Sequence, residues 1–423
     1  MPPPVMWSAV VSVVLCASGP TLQLSSVGRG DALAELLWRR SPDLQLARAQ
    51  VAQAQADFQK TQRLPNPDLD LNVGTLPVGQ LNPPGLKDPY LNIPNVSVGL
   101  SVLVELGKRE PRQNAAEQRA QVAAQQALDQ LRGKLFEAYG VLGDIAAAQV
   151  RVEALSQLVD DAAELTRLQL ARAKTGDASG LDADRARLDA VNVQAALLQA
   201  RGELSKQLRA CGALFAQPCE PFSGSPQATE WLNLKFEQAQ RDPEERPDVR
   251  ALEATARAAR FDETLAKNQW LPDVTVRFGY MRDQFVISGN QQNSFFAGLS
   301  FPLRIFDHGQ DDAQAAAATA RAAEDARAHV LETARLNRAK AEAEAQDVEV
   351  QQAELREKAL PLAEDVVDRL TQAVTRGSAS LQELLSARRT LSELIAAAAE
   401  LDRRVYELRL ERARQSGVEI HVE

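Results

Sequence analysis

The sequence predicts a mainly helical protein with a small β part, in which one structural plan occurs twice. Three observations predict it: long proline-free stretches rich in Ala, Gln, Arg, Glu and Leu, four short alternating segments, and matched segments that recur in order. The composition favours long helices, and apolar/polar alternation favours half-buried strands. Each half therefore predicts a helix, a strand, a loop, a strand, a very long helix, a short turn and another long helix.

The duplication is visible in the residues themselves. Three pairs of segments match in the same order, and they begin at Ser41 and Arg246, at Val98 and Ala297, and at Lys174 and Thr375. In the first pair Pro42 matches Pro247, so the offset is 247 − 42 = 205, and it holds without a gap. The matches predict a first repeat (31–215), a linking segment (216–245), a second repeat (246–414) and a C-terminal tail (415–423).

Four segments alternate between apolar and polar residues. The predicted strands are Asp68–Leu76, Asn95–Val104, Asp273–Phe285 and Ser294–Arg304, joined in pairs by Gly-, Asn- and Pro-containing loops. Strands of about 9–11 residues cross a bilayer when tilted. One apolar and one polar face are typical of a strand with lipid on one side and water on the other.

Such strands imply an assembly of several copies. An unpaired strand edge in hydrocarbon costs several kcal/mol per unsatisfied amide, and four strands cannot close alone because small membrane barrels have about eight. Two copies would give a solid barrel of the smallest size, and three would give twelve strands and an open pore. The residues alone leave the copy number open. The alternative is a pair of soluble β-hairpins at one end of a helical bundle.

The helical segments are unusually long. No proline interrupts the chain between Pro111 and Ala173, a stretch of roughly 95 Å at 1.5 Å per residue. Gln310–Leu360 predicts a second long helix, which we expect to kink at Pro361. Ala and Leu recur at helical spacing among polar residues, which suits a coiled-coil-like wall with one wet face.

The N-terminal residues indicate where the protein is located, and the net charge limits the class of partner. The apolar run Val5–Ser18 predicts an export signal within residues 1–19, the alternatives being a misassigned start or a buried segment. Leu15 before Cys16 argues against a lipid anchor. The net charge of −9 gives no support to nucleic-acid binding. No internal run reaches 18 consecutive apolar residues, so the body predicts no transmembrane helix.

Cysteines and histidines offer no catalytic, cofactor-binding or metal-binding set. Cys211 and Cys219 are close enough in sequence to form a disulfide in an oxidising periplasm, and two free thiols are the alternative. The histidines are widely scattered, and His308 beside Asp307 predicts a surface turn at a helix start. We therefore expect a protein that is not an enzyme.

The duplicated plan resembles the TolC family of outer membrane efflux proteins over about Asp31 to Arg414. ELGKREPR, at Glu105–Arg112, is similar to the ELGGKR-type segment of the CzcC-like heavy-metal branch and lacks one of its glycines. PLRIFDHGQDDAQAAAA, from Pro302, resembles the segment that follows the strands of the second half in that branch.

The resemblance implies a homotrimer with a twelve-stranded transmembrane β-barrel in the outer membrane and a coiled-coil barrel of twelve helices in the periplasm. It implies docking on a periplasmic membrane-fusion adaptor and an inner-membrane pump of the RND type. The chain would then be the passive exit duct of a tripartite efflux system, with heavy-metal cations as candidate cargo. The alternatives are a periplasmic coiled-coil scaffold without a pore and an outer-membrane duct for type I protein secretion.

The resemblance also assigns roles to the two turns between helices. The expected adaptor-contacting tips are Thr175, Gly176, Asp177, Ala178 and Ser179 in the first half, and Arg376, Gly377, Ser378, Ala379 and Ser380 in the second. The family places two acidic residues around the pore just beyond the second turn, and this chain has Glu383 and Ser386 there, with Asp182 equivalent to Glu383. Three symmetry-related carboxylates would focus negative potential on the axis. The alternative is that both acids only favour the helix dipole.

Overall fold

The structure is a computed structural model that describes residues 21–24, 30–76, 78–80, 87–234, 236, 242–284 and 291–417. The predicted export signal (1–19), Phe285, His421 and parts of the predicted loops, linking segment and tail lie outside the described residues.

Helices make up most of the described chain, as the composition predicted. Their bounds are α1, Asp31–Arg40; α2, Pro42–Gln62; α3, Pro89–Asn92; α4, Arg109–Thr175; α5, Gly180–Phe215; α6, Ser225–Leu232; α7, Pro247–Lys267; α8, Gln310–Glu354; α9, Leu360–Thr375; and α10, Leu381–Arg414. A π-helix, Leu355–Ala359, joins α8 to α9, and single 3-10 turns lie at Pro243–Glu245 and Asn268–Trp270.

Among the described residues, the strands form two sheets. Their bounds are β1, Leu22–Gln23; β2, Asp68–Gly74; β3, Asn95–Val104; β4, Cys219–Glu220; β5, Val274–Asp283; and β6, Asn293–Ser300. β1 and β4 form a short parallel pair, and the other four form an antiparallel sheet in the order β2-β3-β5-β6. The four predicted strands are thus confirmed, and β3 has the predicted bounds.

Several strand ends differ from the prediction, and local reasons explain the ends of β2 and β6. β2 ends at Gly74 rather than Leu76, because Thr75 has a φ of 58° and leaves the extended conformation. β6 ends at Ser300 rather than Arg304, and Pro302, which has no N–H to donate to a neighbouring strand, follows two residues later.

The chain divides into two compact units. The first comprises Met1–Gln45, Gln130–Pro243 and Ala334–Glu423, and the second comprises Leu46–Asp129 and Glu244–Thr333 and holds the four-stranded sheet. Each unit draws on both sequence repeats, since the sheet joins strands from the two halves. The repeat boundaries themselves stay a prediction.

The first unit has two hydrophobic clusters. One surrounds Tyr406 and Trp231 where α1, α4, α6 and α10 meet, and the Tyr406 hydroxyl donates a hydrogen bond of 2.8 Å to the carbonyl of Tyr139. Burial raises the pKa of Tyr406 above its ordinary value. The other cluster packs leucines of α4 and α10, such as Leu165 and Leu384. These leucines lie near the turn that follows α4 and the turn that precedes α10.

The interruption predicted at Pro361 takes the form of a wider helical turn. The π-helix ends two residues before Pro361, which then occupies the first turn of α9. A proline there has no N–H to donate backwards, and the wider turn accommodates the missing bond. The same turn holds Arg356 against Asp402, a buried carboxylate of α10.

Candidate functional site

The first candidate site consists of the two turns that join long helices in the first unit. α4 ends at Thr175, and Gly176 follows with a φ of +85°. The N–H of Gly176 donates to the carbonyl of Ala173 at 3.3 Å. The N–H of Asp177 donates to the carbonyl of Arg172 at 2.9 Å. This pair of bonds is a Schellman motif, in which a left-handed glycine closes the helix.

The second turn has the same geometry. Gly377 has a φ of +76°, and its N–H donates to the carbonyl of Val374 at 3.1 Å. The N–H of Ser378 donates to the carbonyl of Ala373 at 2.9 Å. In both turns every predicted tip residue is exposed except Ala178 and Ala379, which are half-buried. The turns therefore present two similar exposed surfaces.

Each turn ends in a serine that caps the next helix. Ser179 accepts a hydrogen bond from the N–H of Asp182, and Ser380 accepts one from the N–H of Glu383. The carboxylate of Glu383 also accepts from the N–H of Ser380 at 3.1 Å, which completes a capping box. Both acids thus lie in the first turn of a helix, and their place around a pore stays a prediction.

The residues predicted to surround the pore differ in their local environment. Glu383 and Ser386 are exposed, one turn apart on α10, and no ion pair reaches Glu383 within the described part of the chain. Asp182 is half-buried, accepts from the Ser179 hydroxyl at 2.7 Å and lies 3.6 Å from Arg185. The negative charge of Asp182 is therefore partly offset, whereas that of Glu383 is not.

Arg172 connects the two turns, a contact that sequence reasoning missed. Its Nη1 donates to the carbonyl of Val374 at 2.8 Å, and its Nη2 lies 3.5 Å from the carbonyl of Asp177. A basic residue in the last turn of a helix commonly binds terminal carbonyls. The position of Arg172 in the last turn of α4 indicates a contact with a helix-terminal carbonyl. It does not indicate that this carbonyl, that of Val374, belongs to α9.

Buried charges lie further along the same helices, and they too were missed. Arg388 of α10 is 7% exposed, and burial lowers its pKa, while Asp161 and Asp189 act in the opposite direction. Burial raises the pKa of Asp189, against the attraction of Arg388. Oδ2 of Asp189 and Nε of Arg388 have no hydrogen-bond partner among the described residues. The two groups attract each other but form no direct bond.

The second candidate site is the four-stranded sheet of the second unit, which has two chemically different faces. One face carries exposed apolar side chains, including Leu71 at 71% exposure, Phe295 at 75% and Leu299 at 69%. The other carries mainly small and polar residues, such as Ser97, Ser101 and Thr275. The alternation predicted from sequence is confirmed, and the side chains of the apolar face are exposed within this unit.

The ELGKREPR motif lies where β3 leads into α4. The Arg112 guanidinium forms a bidentate ion pair with Glu105, which raises the pKa of Arg112. Nζ of Lys108 lies 2.9 Å from Oδ1 of Asp273, the residue before β5. Asn268 donates to the carbonyl of Gly107 at 2.6 Å. The motif thus joins the strand-to-helix loop of one half to the helix-to-strand loop of the other.

Neither candidate site holds a cluster of metal-ligating side chains among the described residues. Within the described ranges no group of three or more His, Cys, Asp or Glu side chains could hold a metal ion. His308 is exposed at the start of α8, where Asp307 accepts from the N–H of Gly309 at 2.9 Å. The structure joins Cys211 and Cys219 in a disulfide.

No helix among the described residues is both long enough and apolar enough to cross a membrane.

An exposed apolar sheet and long helices joined by paired turns define the class of outer-membrane channels with helices in the periplasm. The chain belongs to the outer membrane efflux protein family, which it matches over residues 33–214 and 240–413. Membership confirms the predicted family and the predicted location in the outer membrane. The family consists of transport proteins rather than enzymes, as the sequence predicted.

Similar proteins agree with this assignment. The chain is 26% identical over 305 residues to the cobalt-zinc-cadmium resistance protein CzcC of Cupriavidus metallidurans, covering 69% of this chain and 70% of that protein. The solved structure of CusC has a TM-score of 0.72 at 17% identity and covers 90% of this chain and 91% of CusC. The outer membrane protein VceC of Vibrio cholerae has a TM-score of 0.69 at 20% identity, covering 92% and 96%. At these identities the structures establish the fold alone.

Proposed function

We propose that the chain is the exit duct of a tripartite efflux system, a homotrimer whose sheets complete a twelve-stranded barrel in the outer membrane. The observation that carries the proposal is the sheet of the second unit, whose apolar face is exposed and whose outer strands, β2 and β6, each have one partner strand among the described residues. Unpaired edge amides cost several kcal/mol each in hydrocarbon, so further copies must pair with them. Three copies supply twelve strands and a water-filled lumen.

The test is planar-bilayer conductance of the detergent-purified protein, with the oligomer mass measured on the same sample. Discrete channels from a trimer are the expected result. A monomer that needs no detergent and conducts no current would contradict the barrel and favour a periplasmic coiled-coil scaffold.

The constriction of the duct is proposed at Glu383, with Ser386 one turn further and Asp182 at the equivalent place in the first half. Glu383 supports this role best, because its carboxylate is exposed and has no cationic partner in the described part of the chain. Three copies around a narrow axis would attract cations and repel anions. Ser386 adds no charge, and Arg185 offsets Asp182. Of the three residues, Glu383 therefore has the negative charge that is least offset by a neighbour.

Two substitutions distinguish a role of Glu383 in the constriction from its role in capping α10. Glu383→Gln removes the charge but keeps an oxygen that can accept from the N–H of Ser380, whereas Glu383→Ala removes both. We expect Glu383→Gln to lower the cation preference, read from the reversal potential in a salt gradient, with a smaller loss of thermal stability than Glu383→Ala, which also loses the capping bond. Glu393→Gln, on the same helix but paired with Arg389, is the control. An unchanged reversal potential in Glu383→Gln would place the residue off the axis.

The adaptor and the RND-type pump are proposed to meet the duct at the two turns. Their support is the matched, exposed geometry of Asp177 and Ser378, which occupy the same place in the two Schellman motifs. A photo-crosslinking residue at either position should capture a co-expressed adaptor. The same residue at Lys206, exposed far along α5, should not. Equal capture at all three positions would contradict docking at the turns.

Heavy-metal cations are the proposed cargo, and the similarity to CzcC supports them. Cells that lack the chain should then grow less well on cobalt, zinc or cadmium salts, and the intact chain should restore growth. Unchanged metal tolerance together with loss of a secreted protein would favour the alternative, a duct for type I protein secretion.

A further inference from the structure

Among the described strand residues, the polar face of the sheet carries one aromatic ring, that of Phe296. Along the row that crosses the sheet at this level, Phe296 of β6 pairs with Gly279 of β5, and Gly279 pairs with Gly99 of β3. Phe296 is half-buried and both glycines are buried, whereas the neighbouring Phe295 is 75% exposed on the opposite face. An aromatic ring thus lies beside two residues that have no side chain.

The far end of the ring lies over both glycines. A Cβ placed on Gly279 would be 2.6 Å from Cζ of Phe296, and one placed on Gly99 would be 3.1 Å from the same atom. Cζ is the far end of the ring, so the ring extends from its own strand over β5 to β3. Glycine pairs weaken a sheet, and an aromatic side chain from a neighbouring strand can cover them. The glycines in turn leave the ring room against the sheet.

We propose that Gly99, Gly279 and Phe296 set the bore of the conduit at this level, by holding three symmetry-related rings against its wall. The inference rests on the proposed duct, because the polar face surrounds a lumen only in a closed barrel. A ring that lies on the wall narrows the lumen by little more than its own thickness. The same ring tilted away from the wall would project towards the axis.

Gly99→Ala tests the proposal with the smallest disturbance. The new methyl group would lie 3.1 Å from Cζ of Phe296 and 3.3 Å from the carbonyl oxygen of Phe278, so the ring end is the group that moves. Gly279 is less suitable, because its Cβ would also lie 2.5 Å from the carbonyl oxygen of Val98 and disturb strand pairing. We expect Gly99→Ala to lower the single-channel conductance of an otherwise normal trimer.

Gly298→Ala is the matched control. Gly298 lies on the same face of β6 two residues beyond Phe296, and a Cβ there meets no atom within 4 Å. This variant adds the same methyl group without moving the ring, so its conductance should equal that of the unsubstituted protein. The double variant Gly99→Ala/Phe296→Ala should restore the conductance lost in Gly99→Ala.

The outcomes separate this inference from the duct itself. Unchanged conductance in Gly99→Ala, or a double variant as low as Gly99→Ala, would overturn the inference while channels from the unsubstituted protein uphold the duct. If Gly99→Ala does not assemble, Phe296→Ala alone decides: a ring on the wall predicts conductance close to the original. A large increase in Phe296→Ala would mean that the ring already stands in the lumen. An unsubstituted protein that forms no channel would remove both proposals.

Discussion

Replacing Lys108 with methionine is expected to destabilise the second unit more than its single contact suggests. The Lys108 side chain is 8% exposed, and its Nζ lies 2.9 Å from Oδ1 of Asp273, which is 25% exposed. The contact is not aligned as a hydrogen bond, and neither atom has a hydrogen-bond partner among the described residues. The pair is thus held by charge attraction in a largely dry setting.

The magnitude follows from what the substitution leaves behind. Removing one member of a buried ion pair costs about 3–5 kcal/mol, because the other charge stays buried and unpaired. Asp273 retains some contact with water, and its charge also acts on the nearby Arg112. We therefore expect Lys108→Met to lower the free energy of unfolding by the lower end of this range, about 3 kcal/mol. Replacing both charges, in Lys108→Met/Asp273→Leu, should be close to neutral, since the uncompensated charge is gone.

The assay is denaturant unfolding of the detergent-purified protein, followed by circular dichroism for the original chain, both single variants and the double variant. Lys267→Met is the control, because Lys267 is 64% exposed and pairs with Glu263 on the surface of α7, where ion pairs contribute about 0–1 kcal/mol. A Lys108→Met variant that changed stability no more than this control would contradict a buried, charge-held pair. A double variant no more stable than Lys108→Met would contradict it equally.

Two further predictions concern the helices of the first unit. Gly377→Ala should lower the free energy of unfolding by about 1–2 kcal/mol, because alanine disfavours the left-handed φ of +76°; Gly180→Ala, within α5 and without a positive φ, should cause no loss. Burial raises the pKa of Asp189, so the folded state binds its proton more tightly than the unfolded chain does, and stability falls as pH rises between the ordinary and the raised pKa. The Asp189→Asn protein should therefore have a higher melting temperature than the original protein at neutral pH. This difference in melting temperature should disappear in acid, below the ordinary pKa of aspartate. Equal stability of Gly377→Ala and Gly180→Ala would contradict the prediction for the turn. A melting-temperature difference between Asp189→Asn and the original protein that is the same at both pH values would contradict the prediction for Asp189.

The turns were predictable from sequence because their chemistry is local. Gly176 and Gly377 occupy left-handed positions, and a serine three residues later in each half caps the next helix. Both requirements are met by residues adjacent in the chain. The identical spacing in the two halves therefore explains why both predicted turns have the same geometry, and the structure adds that Glu383 completes a capping box.

The switches from helix to strand were predictable for a similar reason. Prolines near residues 65 and 272 stop a helix, and the period of the apolar residues then changes from helical to alternating. The alternation also fixed which residues share a face of the sheet, since a strand's side chains point to opposite faces in turn.

The sequence by itself thus determined the repeat, the element types, the two-faced strands and the capped turns, all of which depend on neighbouring residues. Only the tertiary structure decided that Arg172 binds the carbonyl of Val374 and that Lys108 faces Asp273. Only it placed the ring of Phe296 across Gly99. These contacts join residues more than 150 positions apart. Periodicity indicates which face of an element a residue occupies, whereas packing and strand register select the partner that the face meets.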